Sequence, residues 1–310
     1  MLIKERQHGF TLIEVSIVLV VIGLLVGAVV AGRSLIDSAG ERAQITQINK
    51  YQTAVHAFQL KYRYLPGDIP STPASMNGFA ARGSATGQGD GNGLIEGDYT
   101  GTWANDQGTF MGTGEIPIFW ADLTVAGLID ATIYSYDQKG AGYPSTTQIP
   151  PQITLTSSPS ISDWLPTGKI GNNTFVYVHS HNSTNYFGVS TVTKLRTYVA
   201  SASDPGISVQ QAASIDSKID DGLPMTGAVT ACYQNSFVYS GEAAFAAGKN
   251  LAGADAGWDV NFQRCNPTTA ATPYATTNCF DNNNVGGGTQ QYSTSKNGAI
   301  LNCALSFEFQ

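Results

Sequence analysis

The first sixty residues contain two apolar patterns that follow one another without a break. Residues from Phe10 to Gly32 are almost all apolar, and Glu14 is the only charged residue among them. At ~1.5 Å per residue this run is long enough to cross a bilayer core of ~30 Å. From Leu35 to Tyr62 apolar residues recur at steps of mostly three and four, the spacing of one helix face. The pattern therefore predicts one helix from about Phe10 to Tyr64, ended by the proline and glycine that follow.

The rest of the chain, residues 65–310, mixes shorter patterns that are typical of a globular head. Residues 115–130 and 208–222 have helical spacing and end at or near a glycine. Two alternating arms, Thr174 to Ser180 and Tyr186 to Val192, predict a β-hairpin. The predicted fold class is α+β, with a long N-terminal helix packed on a head that contains an antiparallel β-sheet.

Composition narrows the function classes. Charged residues are only 13% of the 310-residue chain, and the formal net charge is -7, so the chain lacks the basic surface that would neutralise nucleic-acid phosphates. Neither a nucleophile elbow nor a convincing Ser/His/Asp set is present. Asp216, Asp220 and Asp221 are interpreted as a solvated helix end, with acid/base chemistry or a cation site as the alternative. We therefore expect a protein that is not an enzyme and has no nucleic-acid partner.

Charges around the apolar run predict its orientation in a membrane. Lys4 and Arg6 precede the run, and no comparable basic cluster follows it closely, so the positive-inside rule keeps Met1 in the cytoplasm and the head outside. An ordinary secretory signal is the alternative, but its apolar core is only about 7 to 15 residues long. A buried carboxylate such as Glu14 also has no place in such a signal, because a charge inside hydrocarbon needs a partner.

The stretch "HGFTLIEVSIVLVVIGLL" resembles the cleavage and methylation segment of type IV pilins and type II secretion pseudopilins. The resemblance implies that prepilin peptidase removes a leader, residues 1–9, by cutting after Gly9. It also implies that Phe10 becomes the N-methylated first residue of the mature chain. Glu14 matches the assembly glutamate, whose carboxylate pairs with the Phe10 amine of the same or a neighbouring subunit.

Three head segments, "LPGDIP", "FWADLTVAGLI" and "IDSKIDDGLPMTG", are similar to those of a large-headed subgroup of prepilin-type proteins. The resemblance implies three parts: the leader 1–9, a transmembrane and assembly helix 10–64, and an extracytoplasmic head 65–310. It also implies a filament subunit that is held in the bacterial inner membrane before it joins other pilin subunits in a periplasmic pseudopilus or an extracellular filament. A minor pilin, or a membrane-anchored adhesin that acts through its head, is the alternative.

The glycine-rich stretch "DGNGLIEGD" offers candidate ligands for calcium. Asp90, Asn92, Glu96 and Asp98 present hard oxygen atoms around tight glycine turns, which is the chemistry that calcium requires. The stretch only partly resembles an EF-hand loop, and a plain turn of glycine and aspartate is the alternative. The sequence requires no cofactor and offers calcium as the candidate, while zinc at the cysteines and a metal at His179 and His181 are less favoured alternatives.

All four cysteines, Cys232, Cys265, Cys279 and Cys303, lie in the last third of the chain. An even number in an exported chain predicts two disulfides. Cys232 and Cys303 lie in two predicted strands, whereas Cys265 and Cys279 bracket one Thr/Asn-rich loop. We therefore expect Cys232 to pair with Cys303 and Cys265 to pair with Cys279.

Overall fold

The computed structural model describes most of the N-terminal helix and the central part of the head. The described residues are 11–79, 82, 89–97, 112, 114–130, 133, 152–154, 160–181, 183–196, 201–231, 233–236, 243–246, 279–281, 289–294 and 298–310.

The N-terminal helix, α1, spans Leu12–Tyr62 without interruption. It begins at Thr11, whose hydroxyl accepts a hydrogen bond from the backbone N–H of Glu14 at 3.3 Å. It ends at Arg63, which takes a left-handed conformation with a φ of 70° and donates its N–H to the Gln59 carbonyl. The single long helix predicted from the apolar pattern is therefore confirmed, with each end two residues inside the predicted one.

Three shorter α-helices and one 3-10 helix (Ile161–Asp163) lie within the described part of the head. The α-helices are α2 (Ser71–Met76), α3 (Glu115–Val125) and α4 (Val209–Ile219). The last of these begins with a capping box, in which the Ser208 hydroxyl accepts from the N–H of Gln211 while the Gln211 side chain accepts from Ser208. The two helices predicted in the head are thus confirmed, with Phe119, Trp120 and Leu123 of α3 fully buried.

Ten strands follow within the described part of the head: β1 (Gln152–Thr154), β2 (Phe175–His181), β3 (Thr184–Arg196), β4 (Ala202–Asp204), β5 (Val229–Thr230), β6 (Tyr233–Ser236), β7 (Ala243–Ala246), β8 (Phe280–Asp281), β9 (Gln291–Tyr292) and β10 (Leu305–Glu308). Eight of them form one sheet in the order β5-β10-β3-β4-β7-β6, with β1 and β2 also paired to β3. Every pair in it is antiparallel except β4 with β7, and β8 and β9 form a separate hairpin. The predicted α+β fold is confirmed.

The long strand β3 lies at the centre of the sheet and faces the helices. Its Phe187 lies opposite Val178 on β2 and Phe307 on β10. The Phe187 ring centroid is 6.1 Å from that of Tyr51 in α1 and 6.0 Å from that of Trp120 in α3. These aromatic contacts join the second half of α1, the sheet and α3 in one core.

Polar contacts fix α1 to the head from Glu41 onward. The Glu41 carboxylate accepts a hydrogen bond from the Ser214 hydroxyl at 2.7 Å and forms an ion pair with Lys218, both on α4. One turn further, the Gln44 side chain accepts from the backbone N–H of Lys169 at 2.7 Å. Before Glu41 no described residue of α1 is buried, so the head begins to cover the helix at this point.

The predicted disulfide pairing is wrong, because Cys279 bonds to Cys303. The Cα atoms of the two residues are 5.1 Å apart. Outside the strands, Cys303 pairs with Ile207. Because the Cys303 sulfur is bonded to Cys279, it cannot also bond to Cys232. Cys232 and Cys265 lie outside the described residues.

Candidate functional site

The first candidate site lies at the start of α1. The predicted cleavage residues, Gly9 and Phe10, lie outside the described residues. Beside them, one Glu14 oxygen accepts hydrogen bonds from the backbone N–H of Thr11 at 2.7 Å and from its hydroxyl at 2.8 Å. Because the Thr11 hydroxyl in turn accepts from the Glu14 N–H, the two residues form a capping box. The carboxylate therefore points back toward the N-terminal end of the helix rather than out along its side.

The helix that follows Glu14 presents apolar side chains on all sides. From Leu12 to Ile36 its large apolar residues are 48% to 89% exposed. The helix is long and apolar enough to cross a membrane, and its most apolar part is not buried by the head. We call residues 12–36 the stem. A surface of this kind needs a bilayer or other apolar chains around it, since water disfavours so much exposed hydrocarbon.

The second candidate site is the glycine-rich loop 89–97, which two distant carboxylates hold against the head. Asp68 accepts hydrogen bonds from the backbone N–H groups of Gly91 at 2.6 Å and Gly93 at 2.8 Å. Glu115, at the start of α3, accepts from the N–H groups of Gly89 at 2.7 Å and Glu96 at 3.0 Å. The loop is thus fastened at four backbone positions by side chains from either side of it in the sequence.

These carboxylates are close enough to repel one another. Oxygen atoms of Asp68, Asp90 and Glu115 all lie within 4.8 Å of each other, and Glu96 is buried beside them. Burial, and then the nearby charge of Asp68, raises the pKa of Glu115 to about 9. Burial also raises the pKa of Asp68 and of Glu96. Such a group of acids is stabilised either by a proton held on Glu115 or by a cation among the oxygen atoms.

The predicted calcium ligands are only partly brought together. The Asn92 side-chain amide donates to Asp90 at 3.2 Å and to Glu96 at 2.9 Å, so its N–H₂ group lies between the two carboxylates. The oxygen atoms that converge belong instead to Asp68, Asp90 and Glu115. Asp98 lies outside the described residues.

Sequence reasoning missed Asp68 and Glu115 as members of this site. Asp68 follows the turn that ends α1, and Glu115 is the first residue of a helix, where acids are common because they favour the helix dipole. Each lies more than twenty residues from Asp90, so no local spacing connects the three. Only the packing of α3 against the turn after α1 places them together.

A buried ion pair lies next to this loop. The Arg82 guanidinium donates to Asp122 of α3 at 2.6 Å and to the Ile69 carbonyl at 3.0 Å. Asp122 also accepts from the backbone N–H of Gly67 at 2.7 Å. Both side chains of the pair are at most 1% exposed. Arg82 therefore ties the start of the glycine-rich region to α3 and to the end of α1.

Asp216, Asp220 and Asp221 also have oxygen atoms within 4.8 Å of one another. Asp216 accepts from the Tyr292 hydroxyl at 2.7 Å and from the Gly222 N–H at 3.0 Å, and burial is the main cause that raises its pKa to about 7. The other two acids accept from the backbone N–H groups of Val229 and Leu223. These bonds give the three carboxylates a structural task in the turn after α4, as the sequence suggests, but Asp216 is buried rather than solvated.

Comparison with known proteins identifies only the N-terminal segment. Residues 4–30 match the family model described as the prokaryotic N-terminal methylation motif. No curated protein and no solved structure matches the chain. The matched segment contains Gly9, Phe10 and Glu14 and covers most of the exposed stem. The chain therefore carries a prokaryotic N-terminal methylation motif at the start of a long apolar helix that bears an α+β head, an architecture consistent with the type IV pilin family.

Proposed function

We propose that the protein is a structural subunit of a type IV pilus-like filament or a secretion pseudopilus. The observation that carries this proposal is the bare stem: a continuous apolar helix, with one carboxylate near its start, that its own head leaves uncovered. A single membrane anchor needs about 20 apolar residues and no carboxylate. A subunit that moves from the bilayer into a helical fibre needs a helix whose apolar surface can be surrounded first by lipid and then by other protein chains.

Processing and anchoring follow from the same segment. Prepilin peptidase cuts between Gly9 and Phe10 on the cytoplasmic side, because Lys4 and Arg6 hold the leader there. The subunit then waits in the inner membrane with its head outside. Phe10, whose new amine becomes methylated, precedes Glu14 by four residues, and four residues make about one helical turn.

Assembly is favoured because it gives Glu14 a charged partner. Within one chain the carboxylate already accepts two hydrogen bonds from Thr11, which offset part of the cost of placing it in lipid. A positively charged amine from a neighbouring subunit adds a charge-assisted bond, which is stronger than a bond from a neutral donor. The pairing sets the axial position of each new stem in the fibre.

The variant Glu14→Gln tests this function. It keeps the size of the side chain and removes its charge, so we expect normal membrane insertion and cleavage but at least tenfold less protein in sheared filaments. Ser16→Ala is the matched control, because the Ser16 hydroxyl bonds only to its own helix, at the Ile13 carbonyl. Normal assembly of Glu14→Gln would contradict the assembly role, and mature chains that begin beyond Ala28 instead of at FTLIE would contradict the processing.

The size of the head favours a second role for the same subunit. Residues 65–310 are most of the chain, far more than is needed to cover the second half of α1. A minor pilin or an anchored adhesin that acts through its head is therefore the second candidate. Electron microscopy with mass spectrometry of sheared filaments separates the two roles. A bulk subunit is the main protein of the fibre, whereas a minor subunit is present in traces, at tips or not at all.

We also propose that the head binds calcium, through ligands that differ from those predicted from the sequence. Asp68, Asp90 and Glu115 replace the set predicted from sequence, and Asn92 and Glu96 lie beside them. Calcium displaces the proton from Glu115 and fastens the glycine-rich loop. Calorimetry at pH 8 should detect binding that is lost in Asp90→Ala, a change at an exposed residue, and kept in the control Asp130→Ala. No heat at millimolar calcium would show that the cluster holds a proton only.

A further inference from the structure

We propose that Asn185, near the start of β3, positions the glycine-rich loop 89–97 so that Asp90 meets Asp68 and Glu115. The inference rests on the calcium site of the proposed function and names a residue that acts on that site through the backbone of the loop. Asp68 and Glu115 hold the loop by charged side chains, whereas Asn185 holds it by an uncharged amide. The contact with Asn185 therefore does not depend on whether the carboxylates carry a proton, a charge or a cation.

The Asn185 side chain bonds to the loop as both an acceptor and a donor. Its Oδ1 atom accepts from the backbone N–H of Ile95 at 2.9 Å, and its Nδ2 atom donates to the Gly93 carbonyl at 2.8 Å. A primary amide provides both kinds of group without a charge. One side chain thus makes with the loop the pair of hydrogen bonds that a residue of a neighbouring strand makes with its backbone.

Asn185 is itself fixed by the sheet. Its backbone N–H donates to the Gln310 carbonyl at 2.8 Å, and its carbonyl accepts from the Phe309 N–H at 3.1 Å. On the other side of β3 it lies opposite Ser180 of β2. The residue is 1% exposed, so its side chain has little freedom to follow a moving loop. Asn185 therefore sets the position of the loop relative to the sheet.

The bonds to Asn185 alternate along the loop with the bonds to the acids. The N–H of Gly93 donates to Asp68 at 2.8 Å, while its carbonyl accepts from Asn185. The N–H of Ile95 donates to Asn185, and the next N–H along the loop donates to Glu115 at 3.0 Å. Ile95 is fully buried, so its N–H has no water to bond to if the amide is removed. The loop must then move toward water, and we expect its carboxylates to move away from Asp68 and Glu115.

The charges around Glu115 make a change in the position of the loop measurable. The titratable groups that face Glu115 are Asp68, after the end of α1, and Asp90 and Glu96 of the loop. The buried ion pair next to the loop is neutral as a whole. Burial and the charges of Asp68 and Asp90 raise the pKa of Glu115. A loop that moves away exposes Glu115 and removes one of these charges, so the pKa of Glu115 falls toward its ordinary value.

The variant Asn185→Leu tests the inference, because it removes both hydrogen bonds and keeps a side chain of similar size. In the detergent-solubilised full chain, NMR of isotope-labelled glutamate carboxyls should show Glu115 titrating well below the wild-type value of about 9. Calorimetry should show calcium binding that is about 10- to 100-fold weaker, as is usual when a residue that holds a metal ligand is lost. Ser190→Ala is the matched control, because Ser190 is buried in the same strand and makes two hydrogen bonds, with Tyr177 and Ser203. It should lower stability without changing either readout.

The variant Asn185→Asp gives a second test that depends on pH. At about pH 5 its buried, protonated carboxyl accepts and donates as the amide does, so the free energy of unfolding should be close to that of the wild type. At higher pH the ionised carboxylate faces the Gly93 carbonyl, and the variant should lose more stability than the wild type loses.

Two results would overturn the inference. One is a wild-type Glu115 titration and a wild-type calcium affinity in Asn185→Leu, which would make Asn185 a purely structural residue. The other is an equal loss of stability in Asn185→Asp at low and high pH, and this variant decides the question if Asn185→Leu does not fold. If the wild type binds no calcium, the proposed calcium site fails, and the Glu115 titration alone decides this inference.

Discussion

The two halves of α1 use similar apolar residues in opposite ways. In the stem, Leu24 and Val30 are 70% and 65% exposed, whereas in the second half Ile48 and Val55 are at most 2% exposed. The second half is amphipathic and finds its partner within the chain, in the sheet and α3. The stem has no polar side and no partner within the described part of the chain. One continuous helix thus joins a head that is complete by itself to a surface that requires other molecules.

Removing the stem should have the largest effect on the solubility of the protein. A chain that lacks residues 1–36 should be monomeric and soluble without detergent, because the core residues of α1 begin at Glu41. The full chain should instead need detergent or membranes. Size-exclusion chromatography and circular dichroism of the two forms check the prediction. An aggregated or unfolded head would show that the stem contributes to folding.

Within the head, loss of Arg82 should be the most damaging single change. Arg82→Met leaves Asp122 buried without its cation, which we expect to cost about 3 to 5 kcal/mol of unfolding free energy. The double variant Arg82→Met/Asp122→Leu should recover part of that loss, because it removes the unpaired charge. Urea unfolding of the detergent-solubilised chain measures both. Equal stability of the single and double variants would contradict this account of the pair.

The disulfide should contribute nearly as much to the unfolding free energy of the head as the Arg82–Asp122 pair does. It should have no effect on the stem. Cys279 and Cys303 are 24 residues apart, so the chain-entropy model gives about 3.5 kcal/mol for closing that loop. Cys279→Ser/Cys303→Ser should therefore lower head stability while leaving membrane insertion unchanged. Non-reducing peptide mapping of the wild type should recover the Cys279–Cys303 peptide. A peptide that links Cys232 to Cys303 would contradict the structure.

The pH dependence of stability should also be confined to the head. Glu115 has a pKa of about 9 in the folded chain against an ordinary value of 4.5, so the folded chain keeps a proton that the unfolded chain releases above about pH 4.5. Asp216 and Asp122, with folded pKa values of about 7 and 6, act in the same direction. Without calcium, the free energy of unfolding should fall as the pH rises from 5 to 9. Glu115→Gln should flatten this slope, and stability that rises over the same range would contradict it.

Loss of the exposed ion pair between α1 and the segment after α3 should have the smallest effect on the unfolding free energy. Both Lys50 and Asp130 are at least half exposed, so Asp130→Asn should change the unfolding free energy by less than about 1 kcal/mol. Lys218→Met is a useful comparison, because its partner Glu41 is buried and also holds Ser214. Urea unfolding should give a larger loss for Lys218→Met. The reverse order would mean that burial does not decide the strength of these pairs.

The local pattern of the sequence was enough to predict the elements that depend on neighbours along the chain. The helix from Leu12 to Tyr62, the hairpin of β2 and β3, and the helices α3 and α4 all follow from periodicity and end signals. The motif around Gly9, Phe10 and Glu14 was recognisable because it is contiguous. Physical forces that act within one or two helical turns, or across a short hairpin, leave such signals in the sequence.

Only the tertiary structure decided which distant residues meet. The disulfide joins Cys279 to Cys303, and the pairing of Cys303 with Ile207 that helps to place it is a contact between distant residues that no cysteine spacing reveals. Asp68 and Glu115 meet Asp90 because α3 packs beside the end of α1. A linear pattern shows that a helix has an apolar or a polar side. Only the three-dimensional packing shows which side is buried in the core of the same chain, because that depends on residues far away in the sequence.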